Sequence, residues 1–196
     1  MQSRSRTGST GVRIVGGRWR GRRLIVPAGT EVRPTPDRVR ETLFNWLAPS
    51  LPGAHCLDLF AGTGVLGLEA LSRGAAEATF VERDAVLVRS LEERIGALAA
   101  QARVFHGDAL EFLESRPQRS FNVVFVDPPY TMGLSQVLEE LTAWLGPEHL
   151  VYVERPVERG GRPLDEVLGA VPRARLVKQG RAARVAFGLL RLASAE

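Results

Sequence analysis

The sequence predicts an α/β fold in which a parallel β-sheet is covered on both faces by helices. Three observations carry that prediction. From His55 onward, short apolar runs alternate with segments of helical period, the pattern of repeated strand–helix units. The first unit turns through Gly62, Gly64 and Gly67, a G-x-G-x-x-G spacing in its required strand-to-helix setting. The fourth run, Phe121-Asn122-Val123-Val124-Phe125-Val126, stops at Asp127-Pro128-Pro129-Tyr130, where two prolines end a strand.

Each element has its own local reason. Residues 1–30 read as a flexible basic tail and an arginine-rich hairpin, and residues 31–196 as the main domain. Positions 12–15 and 22–26 are strand-like runs separated by Gly16, Gly17 and Gly21, which predicts a β-hairpin with its arginines outward. Thr35 is placed to cap a helix with Pro36 at its first position; Val39, Leu43, Trp46 and Leu47 then share one face, and the helix ends near Pro49. Strands are predicted near 55–59, 78–82, 102–106, 121–126 and 149–153. Helices are predicted over 66–73, stopping at Gly74; after Asp84, with Leu87, Leu91, Ile95 and Leu98 on one face; after Asp108, which forms a capping box with Glu111; and over 134–145. Past a Pro- and Gly-rich loop at 154–163, the runs 173–178 and 184–190 predict a closing antiparallel pair.

Composition narrows the functional classes. With 196 residues, 44% of them hydrophobic, the chain has ample length for one substantial core. No apolar stretch approaches the roughly 20 residues that cross a bilayer, and residues 1–17 lack the apolar centre of a signal peptide, so a cytoplasmic protein is expected. Cys56, the single cysteine, rules out an internal disulfide and is expected as a buried strand residue; His55, His106 and His149 lack paired ligand spacing, so no metal site is expected. The net charge of +4 conceals an asymmetry: residues 1–40 carry +8, residues 41–154 carry −9 and residues 155–196 carry +5. Arg13, Arg18, Arg20, Arg22 and Arg23, interleaved with Trp19, suit contact with a nucleic acid, because guanidinium forks match phosphate oxygens and stack on bases. A solvated surface is the other reading of such a run.

Acids mark the carboxyl ends of the predicted strands. Glu82 closes the second strand, twenty residues after Gly62, where it can accept hydrogen bonds from ribose hydroxyls. Asp58 precedes the glycine turn and can face a cationic amino group, while Asp108, with Ala109 after it, can accept from an adenine amine or simply cap its helix. These residues fit either a nicotinamide dinucleotide or S-adenosylmethionine; an acid-lined pocket favours the sulfonium compound over a pyrophosphate. Asp127 and the Pro128 carbonyl only accept hydrogen bonds and together can take both protons of an exocyclic amine, with Tyr130 stacked on its ring.

Residues 12–192 resemble the RsmD family, bacterial small-subunit rRNA guanine-N2 methyltransferases. The phrases that carry the resemblance are Arg13-Ile14-Val15-Gly16-Gly17-Arg18-Trp19-Arg20-Gly21-Arg22, the run from Arg33-Pro34-Thr35-Pro36-Asp37-Arg38 to Leu47, the glycine loop through Arg73-Gly74-Ala75, and Asp127-Pro128-Pro129-Tyr130. The resemblance implies a class I methyltransferase fold, with a seven-stranded, mostly parallel sheet and an antiparallel last strand. It also implies S-adenosylmethionine as cofactor, held by Asp58, by Phe60, Ala61, Gly62, Thr63 and Gly64, by Glu82 with Arg83, and by Asp108 with Ala109.

By the same resemblance, Thr35 and Arg38 lie on the element that closes over the methionine end, although an Arg38–Glu41 ion pair is a competing role. Asp127, Pro128, Pro129 and Tyr130 form the catalytic motif; many relatives have Phe where this chain has Tyr130, which keeps the stacking face. The implied partner is 16S rRNA within an assembled small subunit, the implied target guanine 966, and a monomer is expected. Three alternatives stay open: the same chemistry on another amine such as adenine N6, a dinucleotide-dependent oxidoreductase, and a non-catalytic RNA-binding module.

Overall fold

The computed structural model describes residues 11–30, 35–115, 117, 120–129, 132–156, 164, 168–169, 171–182 and 185–193. Strands β1 (Gly11–Arg13) and β2 (Arg23–Ile25) form the expected hairpin, in register Val12 to Leu24. Helix α1 spans Asp37–Leu47, and from β3 (His55–Asp58) the chain alternates: α2 (Val65–Ser72), β4 (Glu77–Glu82), α3 (Ala85–Ala97), β5 (Ala102–His106), α4 (Ala109–Glu114), β6 (Phe121–Val126) and α5 (Leu134–Leu141). The long β7 (Leu145–Pro156) is followed by β8 (Ala174–Ala182) and β9 (Val185–Leu192). The seven-stranded sheet has the order β5-β4-β3-β6-β7-β9-β8, and β9 alone runs against the rest.

Two apolar layers hold the sheet, one on each face. On one side α1, α2 and the hairpin bury Val39, Leu43, Phe44, Leu47, Leu68 and Leu71 with Cys56, Phe80 and Phe125. On the other, α4 and α5 bury Phe112, Leu113, Val137, Leu138 and Leu141 with Leu57, Val124 and Val151. Cys56 is buried as expected, and burial pushes its thiol up to about 12, which leaves it unreactive at neutral pH.

The hairpin is packed onto the helical layer beside it. Its turn lies against the end of α2, where Ser72 Oγ donates to the Gly16 carbonyl at 2.6 Å and accepts from the Trp19 N–H at 2.9 Å. Gly17 sits at φ 75°, and a Cβ there would lie 2.0 Å from the Ser72 carbonyl oxygen, so only glycine permits this approach. Trp19 is consequently a core residue, 9% exposed, with the Arg18 guanidinium 4.3 Å over its ring. Its indole is not open for a nucleic-acid base, whereas Arg13, Arg18, Arg20, Arg22 and Arg23 are exposed.

Three local expectations need correction. Helix α1 has Pro36 at its N-cap without a side-chain cap, and Thr35 instead offers its carbonyl to Arg40 Nε at 3.2 Å. Arg38 and Glu41 are both exposed, so no buried pair forms between them. The helix expected to reach residue 145 ends at Leu141 in a single 3-10 turn, Thr142–Trp144, because Trp144 turns inward to stack on Phe112 at 4.5 Å and donates Nε1–H to the Leu113 carbonyl.

Candidate methyl-transfer site

Because β3 to β6 are parallel, their carboxyl ends bring four predicted features to one edge: the glycine loop, Glu82, Asp108 and Asp127. The loop is held from below by carboxylates. Glu82 accepts the Gly62 N–H at 2.7 Å and the Asp84 N–H at 2.8 Å, and Asp58 Oδ2 accepts the Gly67 N–H at 3.0 Å. Gly64, at φ 74°, takes the left-handed turn that starts α2, and Leu91 of α3 sits where its Cβ would be. Thr63 and Ala61 are buried, while Phe60 and Gly62 are partly open. Arg94 of α3 clamps the loop from outside, donating to the Thr63 carbonyl at 3.0 Å and also to the Ile25 carbonyl at the end of β2.

Asp108 caps α4 through the Leu110 N–H at 2.8 Å, using Oδ1. A carboxylate has about four acceptor sites, so capping and an adenine contact are compatible roles. Arg83 is exposed with its carbonyl near His106 Nε2, and Ala109 is buried. Thr35 is buried at the start of α1, whereas Arg38 points to solvent.

At the end of β6, Asp127 is half-buried, Pro128 is buried and Pro129 is exposed; Tyr130 lies outside the described residues. The Pro129 carbonyl accepts the Met132 N–H at 2.9 Å, closing a tight turn, and Arg155 Nη2 donates to the Met132 carbonyl at 2.7 Å. Sequence reasoning missed this brace, and it missed Glu154, buried beside it and accepting from the Tyr152 hydroxyl at 2.7 Å. The legible signal was an acid and an arginine closing a strand that is otherwise apolar on both faces.

The electrostatics favour a cationic ligand. Burial pushes the Asp58 carboxyl up to about 7, opposed by its Gly67 hydrogen bond and reinforced by Glu82. Burial, then Glu154 and Asp58, lift Asp127 to about 8, while the Arg155 guanidinium acts the other way. A positive charge placed beside Asp58 and Asp127 favours their ionised forms. A pyrophosphate finds the reverse: the Gly62 and Gly67 amides that would receive it are taken by Glu82 and Asp58. Among the described residues no His, Cys, Asp and Glu cluster could hold a metal ion, and no helix is long and apolar enough to cross a membrane.

Asp58 provides a test by pH. Its folded-state proton affinity exceeds that of the unfolded chain, so the folded protein binds the extra proton and stability falls as pH rises from about 4 to about 7. Asp58→Asn keeps the acceptor for Gly67 without the buried charge. Thermal melting should show the variant equal to the parent near pH 4 and more stable by a few kcal/mol, in order of magnitude, above pH 7. Equal melting at both pH values would contradict a buried carboxyl strained by ionisation.

The comparisons with known proteins agree with this architecture. A family model described as Conserved hypothetical protein 95 matches residues 12–183. The chain belongs to this family. Ribosomal RNA small subunit methyltransferase D of Escherichia coli (strain K12) is 50% identical over 164 residues, 82% of each chain. The protein of the same name from Haemophilus influenzae is 45% identical over 150 residues, 73% of this chain and 78% of that one. The solved structure of Escherichia coli yhhF, assigned as a methyltransferase, superposes with a TM-score of 0.82 at 44% identity, covering 95% of this chain and all of that one. The sheet order and reversed β9 of this family member are accordingly the class I methyltransferase fold expected from the sequence.

Proposed function

We propose that this protein transfers a methyl group from S-adenosylmethionine to the exocyclic N2 amine of a guanine in 16S rRNA, acting as a monomer on the small ribosomal subunit. The carrying observation is the placement of Asp127 and Pro128 on the same edge as a carboxylate-lined glycine loop whose Gly62 and Gly67 amides are already bonded. The names of the curated relatives support rRNA as the substrate class. Guanine N2, and guanine 966 in particular, rest on the resemblance of the motifs.

S-adenosylmethionine supplies an electrophilic methyl on a cationic sulfonium. Glu82 would accept from the ribose, Asp108 from the adenine amine, and Asp58 would face the ammonium group. The guanine leaves its stack, as enzymes acting on a base require, and lies against Tyr130. Asp127 and the Pro128 carbonyl accept the two amine protons, which localises the nitrogen lone pair and aims it at the methyl. The nitrogen gains a C–N bond, the sulfur keeps the electron pair of the broken bond, and Asp127 is placed to take the released proton. Orientation and the Asp127 charge provide the acceleration. Arg155 anchors the segment that follows the motif through the Met132 carbonyl.

Nucleoside mass analysis of rRNA from a strain lacking the gene tests the substrate. One N2-methylguanosine should be missing from 16S rRNA. An unchanged 16S rRNA with altered N6-methyladenosine in rRNA or DNA would move the chemistry to adenine.

A further inference from the structure

We propose that the outer edge of the sheet at β8 is a second rRNA-binding surface, which holds the strand flanking the target nucleotide on the side of the site opposite the hairpin. The inference rests on the rRNA reading above. From Val171 to Ala193 the chain contains Arg173, Arg175, Lys178, Arg181, Arg184 and Arg191 and no acid at all. Arg173, Arg175, Lys178, Arg181 and Arg191 are exposed, and of these Arg191 has an acidic partner, Glu148 at 3.2 Å. Lys178 rests 5.9 Å over the ring of Trp46, which is itself stacked on Phe187 at 5.5 Å. The exposed cations of this strip suit a phosphate backbone.

Position decides between an RNA track and ordinary edge protection. Charges on an outer strand also prevent edge-to-edge pairing, most often lysine but also glutamate. Here the charge has one sign, and the strip leads to the catalytic edge: Arg181 pairs with Ala186, Ala186 with Arg155, and Arg155 braces the turn after Asp127. Three strand spacings separate β6 from β8, about 14 Å, the length of about four stacked nucleotides. The hairpin packs on α2, beside β3 and β4, so the acidic cofactor edge lies between two basic surfaces. A strand laid across both would be held on each side of its flipped base.

Filter binding of 16S rRNA over a series of salt concentrations tests the proposal. Three proteins are compared: the parent, the triple variant Arg175→Ser, Lys178→Ser, Arg181→Ser, and a control with Arg89→Ser and Arg103→Ser on the opposite side of the sheet. Melting temperature confirms that each is folded. The triple variant should lower the slope of log K against log salt by about two to three, as expected for three lost phosphate contacts, and weaken binding more than tenfold at moderate salt; the control should match the parent. A triple variant that matches the control in slope and affinity overturns the proposal. Methyl transfer by the parent, assayed in parallel, tests the functional reading separately, since loss of the slope concerns binding alone.

Discussion

Asp127→Asn is expected to lower methyl transfer by at least about 100-fold, the scale on which removing one preorganised electrostatic contact acts, while S-adenosylmethionine still binds. The amide has the shape of the carboxyl and keeps one acceptor oxygen, but it replaces the other with an NH2 donor and cannot take up the released proton as a carboxylate does. It also lacks the charge that opposes the cation developing on the amine nitrogen. Cofactor binding should persist because the glycine loop is held by Glu82 and Asp58, not by Asp127. Single-turnover transfer and calorimetry measure the two effects independently. Substantial residual turnover in Asp127→Asn, or in Asp127→Ala, would remove Asp127 from its assigned role.

The second large effect lies away from the chemistry, in a charge network under the hairpin. Glu69 of α2 is fully buried and accepts from the Val15 N–H at 2.7 Å, from Arg73 Nε at 2.8 Å and from the fully buried Arg40 at 3.4 Å. Arg40 also donates to Asp37 at 2.6 Å, and Asp37 in turn accepts from Arg13 of β1. Glu69→Ala leaves a buried guanidinium with too little negative charge around it and strips a hairpin N–H of its partner. Breaking such a pair costs about 3–5 kcal/mol, or roughly 6–20 °C in melting temperature at this chain length. The double variant Arg40→Met, Glu69→Leu should recover much of the loss, because it removes both charges together. Equal melting of Glu69→Ala and the parent would contradict the network's structural role.

The layers of the fold were legible because hydrophobic period, caps and glycine turns act locally. Asp84 caps α3 through the Val86 and Leu87 N–H groups, and the strand bounds of β4, β5 and β6 follow the apolar runs closely. The site edge was legible for a related reason: parallel strands force their carboxyl ends together, so acids at those ends must converge. What stayed hidden depends on contacts distant in sequence. Trp19 lies among arginines and reads as surface, yet the glycine turn presses it onto Ser72, 53 residues away. Arg40 occupies a core position between Val39 and Leu43 of α1, but its partner Glu69 belongs to another helix. The expected helix ends at Leu145 and the expected strand begins near 149, yet β7 starts at Leu145 and accommodates Gly146 and Pro147 in a register shift opposite Phe121 and Val123.

Tritiated methyl transfer from S-adenosylmethionine, offered in parallel to isolated small subunits, free 16S rRNA and DNA, tests the central claim most directly. Label is expected in 16S rRNA of the small subunit, recovered after digestion as N2-methylguanosine and absent with Asp127→Ala. Label recovered in DNA, or as N6-methyladenosine, would contradict it.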